Sequence, residues 1–122
     1  MARSFLLAAA LCIALLGPAG CATPAPLPVA DQARIAALLP ADVLLLGEQH
    51  DAPAHQRLQR QTIEWLAARG QLAALALEMA ERGHATTGLP RDASPAQVRQ
   101  ALAWHDAGWP WKTYGPVVMA AV

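Results

Sequence analysis

"DVLLLGEQHDAPAHQ", residues 42 to 56, is the stretch on which the fold turns. Asp42 to Gly47 is a short unbroken apolar run, which predicts a strand covered on both faces. Gly47 supplies a flexible backbone position at its end. Directly beyond it come Glu48, His50 and Asp51, with His55 five residues after the first histidine. Groups that hold metals or move protons are thus packed against the end of a buried element.

Working outward, a helix is predicted from Asp51. Asp51 can cap it, and Pro53 suits the first turn, where its missing N–H costs nothing. Leu58, Thr62, Trp65 and Leu66 fall on one side at helical spacing. Gly70 after Arg69 ends the helix as a C′ glycine. "LAALALEM", Leu72 to Met79, is the next strand candidate, chosen over a helix because it is short and follows Gly70. Strand, helix, strand makes a βαβ unit, whose right-handed crossover leaves the strands parallel. The predicted fold class is therefore α/β, a βαβ-containing parallel sheet with flanking helices. Glu48 and Glu78 then share one sheet edge with His50 facing them, and that edge is where open parallel sheets bind ligands.

Further from the centre, a short helix is expected over about Asp31 to Leu39, stopped by Pro40. After a loop with Gly83 and Gly88, "SPAQ" opens another helix, with Ser94 as cap, Pro95 at N1 and Gln97 completing a capping box. Gly108 is expected to end it. "WPWKTYGP" reads as an aromatic turn, and "VVMAAV" begins an apolar element. Two strands and a few helices make a thin core, and scaffolds of this size rarely gain more than about 3–5 kcal/mol from burial without staples. Residues 41–122 are therefore expected to be the N-terminal portion of a longer domain. The alternative is a small domain completed as a homodimer.

The N-terminus has its own logic. Arg3 is followed by "FLLAAALCIALL", about a dozen apolar residues, the length of a signal h-region and too short to span a bilayer. "GPAGC" places small residues before Cys21 and resembles a bacterial lipobox, with Pro18 as its departure from the usual aliphatic residue. Residues 1–20 are expected to be a signal peptide and Cys21 the lipid-bearing residue; the other reading is an ordinary cut near Ala22. Ala22 is not the aspartate that retains lipoproteins at the inner membrane. The expectation is an outer-membrane lipoprotein of the cell envelope, tethered by the Pro- and Ala-rich "ATPAPLPVAD". With Cys12 and Cys21 the only cysteines, the mature domain has no internal disulfide. Nine basic and nine acidic side chains balance without a basic patch, which argues against a nucleic-acid partner.

The chemistry at residues 48–55 admits several readings. Glu48, His50 and Glu78 suit a divalent metal, or could serve as general acid and base. Asp51 is most simply a helix cap, and His55 can be a half-buried structural residue. Three of the four tryptophans and the only tyrosine lie between Trp104 and Tyr114. They read as core packing or as a flat wall for a large planar ligand, and Tyr114 could ligate ferric iron. His84 and His105 have no constellation and read as surface or packing residues.

Taken together, "DVLLLGEQHDAPAHQRLQ", "LALEMAERG" and "WHDAGWPWKTYGPVV", in that order, resemble the ChaN-like haem-binding uptake family of the Tiki superfamily, over about Asp42 to Val122. The resemblance implies an exported α/β domain, often a lipoprotein, linked to haem binding and iron acquisition. Haem is then the implied cofactor and partner, with His50, His55 and Tyr114 as candidate ligands. The wider superfamily includes proteins resembling metal-dependent peptidases and esterases, whose pattern has two Gly-x-x-His motifs and a Glu. Gly47 to His50 matches the first motif and Glu78 the Glu, while the second Gly-x-x-His is absent from this chain. A metal-dependent hydrolase through Glu48, His50 and Glu78, or a non-catalytic envelope scaffold, are the alternatives.

Overall fold

The computed structural model describes residues 24–122; the expected signal peptide, residues 1–20, and the expected lipidation site Cys21 lie outside the described residues. The described residues form four helices, α1 (Val29–Ala36), α2 (Pro53–Ala68), α3 (Pro95–Ala101) and α4 (Trp111–Met119). α4 is central and packs against both α2 and α3.

The longest helix, α2, starts where its proline permits. Pro53 stands in the first turn, but the N-cap is Ala52 rather than Asp51, and no side chain caps the end. The other end closes as the glycine promised. Gly70 adopts φ +65°. Its N–H donates to the Ala67 carbonyl at 3.0 Å, and the Gln71 N–H to the Leu66 carbonyl at 3.0 Å. This is a Schellman closure, which satisfies carbonyls that the helix leaves open. The buried face carries Gln56, Thr62, Ile63 and Leu66. Leu58, expected on that face, is 42% exposed.

α3 opens on the expected capping box of Ser94 and Gln97, but ends at Ala101, well before Gly108. α4 begins inside the stretch read as a turn. Asp106 Oδ1 accepts the Trp111 N–H at 2.6 Å, which supplies the first turn with a partner. Pro116 lies inside the helix. At Gly115 an added Cβ would come within 2.6 Å of the Trp111 indole, so only glycine lets that ring lie back over its own helix. Tyr114, Val117 and Val118 fill the buried face. Val118 joins Ala93, Val98 and Leu102 in a core that Leu77, Leu89, Trp104 and Trp111 flank.

The predicted parallel sheet is not there. Among the described residues no strand forms, and no backbone hydrogen bond joins residues 43–48 to 72–77. Both segments are irregular, and Glu78 and Met79 sit in a turn. The first segment is not covered on both faces either: Val43 is 72% exposed and Leu45 87%. An apolar run becomes a strand only when a neighbour takes up its N–H and C=O groups. Here the two runs are held by side-chain contacts to helices instead, so the βαβ reading is corrected to a small helical fold with long irregular connections.

The Pro-rich segment ahead of α1 is extended but docked. Leu27 is 3% exposed. Gln61 Nε2 on α2 donates to the Ala25 carbonyl at 2.8 Å. Gln32 Nε2 donates to the Leu27 carbonyl at 2.8 Å, and Trp65 Nε1 to Gln32 Oε1 at 3.2 Å. Leu27→Ala removes a buried side chain from this seam. It is expected to cost about 2–5 kcal/mol, read as a lower denaturation midpoint with an unchanged slope. An unaltered midpoint would show that the segment does not dock.

Candidate functional site

Glu48 is the hub of the site. Its side chain is 8% exposed, and a buried carboxylate needs hydrogen-bond donors. It meets polar groups from three directions. Gln56 Nε2 on α2 donates to Oε1 at 2.5 Å. His50 Nδ1 lies 3.4 Å from the same oxygen. The Tyr114 phenol on α4 also lies against Glu48, close enough for the carboxylate to raise its pKa. The irregular segment that carries Glu48 is thereby tied to two helices.

Gln56 escapes a motif search, because it belongs to no ligand pattern. The available signal is its place on the buried face of α2, among Thr62, Ile63 and Leu66. The orientation of its amide is set by three acceptors, since Nε2 also faces the Gln49 and His50 carbonyls at 3.4 and 3.3 Å. The cost is at Oε1, which is buried without a partner.

His50 stands between two carboxylates. Glu48 meets Nδ1, and Glu78 Oε2 lies 3.5 Å from Nε2. The imidazole is 42% exposed, Glu78 72%. Trp109 holds the ring edge-on with centroids 4.9 Å apart, and Trp109 in turn meets Tyr114 edge-on at 5.6 Å. Glu48, His50 and Glu78 are thus brought together as the sequence suggests, without a sheet edge to do it, and Tyr114 stands beside them. They do not form a metal centre as they stand. The carboxylates address opposite ring nitrogens, so they do not converge on one point, and no group of three potential ligands with metal-holding geometry occurs among the described residues.

His55 plays a different part. Its Nδ1 accepts the Gln49 N–H at 3.0 Å. In a neutral ring the proton then sits on Nε2, and neither nitrogen has an open lone pair. His55 pins the loop that bears Gln49 and borders an apolar cleft of about 400 Å³ shared with Ile35, Leu45 and Leu46. Asp51 lies exposed in a turn and is not the helix cap. His84 and His105 are exposed, as expected of surface residues.

The aromatic cluster is interlocked rather than flat. Trp104 and Trp111 meet at 82°, Trp109 and Tyr114 at 85°, which is edge-to-face packing. Trp104 and Trp111 pack on the core cluster. Trp104 Nε1 donates to the Trp109 carbonyl at 2.7 Å, so it positions the residue that flanks His50.

These residues lie within a stretch of known kinship. Residues 34–122 match the family model described as haem-binding uptake, Tiki superfamily, ChaN. The chain belongs to that haem-binding uptake family. No curated protein and no solved structure matches it.

Tyr114 reports on the site directly. Burial pushes its phenol above the usual tyrosine range, and the charge of Glu48, the hydrogen bond to it and the charge of Glu78 push the same way. As pH rises past about 10 the unfolded chain releases this proton while the folded one keeps it, so the stabilisation is present below that pH and lost above it. Tyr114 is the only tyrosine, so phenolate absorbance reads it alone. It is expected to titrate later in the native chain than in denaturant, and Glu48→Gln is expected to move it earlier. Coincident native and denatured titrations would contradict the buried contact.

Proposed function

We propose that the chain binds haem through His50, as an exported, lipid-anchored protein of the cell envelope that serves haem and iron uptake. Kinship with a haem-binding uptake family supports the ligand. The observation that carries the choice of residue is the fixed ring of His50, with Nδ1 toward the buried Glu48 and Nε2 toward solvent and Glu78. The signal-like segment and the small residues before Cys21 support export and acylation.

The donor set fits such a ligand. A bound haem would supply an iron that the neutral imidazole nitrogen of His50 could hold. Glu48 accepts from Nδ1–H, which leaves the lone pair on Nε2. Glu78 stands over Nε2. Being mostly exposed, it is weakly held and free to swing aside. Trp109 restrains the ring from its edge. Val43 and Leu45, exposed just ahead of Glu48 in the chain, offer apolar surface. Tyr114 serves less well as a ligand, because it is 4% exposed and its proton is held by Glu48.

A haemin titration of the intact chain tests this. The wild type is expected to shift the Soret band, and His50→Ala to weaken binding at least about tenfold, a loss of roughly 1.4 kcal/mol. His55→Ala and Tyr114→Phe are expected to keep the band position. Circular dichroism confirms that each variant is folded. Retained binding in folded His50→Ala, with loss in His55→Ala or Tyr114→Phe, would overturn the assignment.

A further inference from the structure

A lipid on Cys21 would have a short leash. Only Ala22 and Thr23 separate Cys21 from Pro24, and the chain is clamped from the next residue on. The Ala25 and Pro26 carbonyls both face Gln61 Nε2, at 2.8 and 3.4 Å, and Leu27 is buried. From Cys21 to Ala25 the backbone can reach at most about 14 Å. An acyl chain at Cys21 therefore brings one particular side of α2, the side at Gln61, within that distance of the lipid headgroups.

The residues on that side suit such a neighbour. Arg57, Gln61 and Trp65 follow one another at four-residue spacing along α2, and Arg69 is the C-cap one turn on. The Arg69 guanidinium lies over the Trp65 ring, 4.6 Å from its centroid. Val29, beside the docked segment at the start of α1, is 80% exposed. The nearby acidic groups are already paired, Asp31 with Arg34 at 3.0 Å and Glu64 with Arg60 at 2.7 Å. Arg57 and Arg69 have no ion-pair partner among the described residues and are exposed. Arginine, tryptophan and an exposed aliphatic residue together are the composition of an interfacial contact with anionic lipid.

We infer that the face formed by Val29, Arg57, Trp65 and Arg69 docks on an anionic bilayer surface, so that the anchor fixes the orientation of the domain as well as its location. The inference rests on acylation of Cys21. Unlike that reading, it concerns which side of the folded chain meets the membrane.

The mature chain has no other thiol, so single labelled cysteines can be placed at will. A spin label is introduced at Val29→Cys, and a reference label at Gln100→Cys on α3, which α4 separates from α2. The full acylated protein is bound to phosphatidylcholine vesicles with and without phosphatidylglycerol. With phosphatidylglycerol, the label at 29 is expected to be several-fold less accessible to a water-soluble nickel chelate than the label at 100, and more accessible to oxygen. Adding Arg57→Glu and Arg69→Glu is expected to abolish the difference. Equal accessibility at both positions in acylated, vesicle-bound protein would overturn the docking face and leave the anchor standing. An unmodified Cys21 in the mass of the N-terminal peptide would overturn the anchor reading and the docking face together.

Discussion

The structure depends on one buried charge. The Glu48 carboxylate lies at the end of an irregular apolar segment, where Gln56 donates to it, His50 Nδ1 faces it and the Tyr114 phenol lies against it. Those groups come from α2, from the loop before α2 and from α4. Removing any one of them would leave a polar group without its partner, at a cost of about 1–3 kcal/mol. In a fold whose described residues contain no sheet, this polar knot does what a strand pairing would otherwise do. It sets where residues 43–50 run.

The same knot explains the division of labour between the two histidines. His50 is held on one nitrogen by a buried carboxylate, and its other nitrogen faces solvent and the exposed Glu78. His55 has its acceptor nitrogen taken by a backbone N–H and acts on the loop. α4 completes the arrangement. Gly115 lets Trp111 fold back over the helix, Trp104 holds the Trp109 carbonyl, and Trp109 stands against His50. Most of the aromatic cluster is therefore packing, and its functional share is the one ring edge that touches the imidazole.

Local signals were readable where a single residue decides the backbone. Gly70, Pro53 and the Ser94–Gln97 capping box act within one turn, and each is found where expected. The gathering of Glu48, His50 and Glu78 was readable too, though through a mistaken intermediate, while the place of Tyr114 beside them was not. The runs at 42–47 and 72–79 carry strand-like composition, but composition cannot say whether a neighbour will take the hydrogen bonds. α4 was missed because Trp109, Pro110 and Pro116 look like turn residues, while Asp106 supplies the first-turn partner from outside the helix. The docking of Leu27 was hidden by the prolines around it. The roles of Gln56 and His55 depend on which atom faces which partner, and spacing does not encode that.

The central claim is that Glu48 holds His50 with Nε2 open, while the Gln49 N–H holds His55 by Nδ1. Imidazole nitrogen-15 NMR, at a pH where the rings are neutral, tests it most directly. The expected result is a pyridine-type signal at Nε2 of His50 and at Nδ1 of His55, with Glu48→Gln erasing the preference at His50 alone. A pyridine-type Nδ1 at His50, or a His55 ring with its proton on Nδ1, would contradict the account.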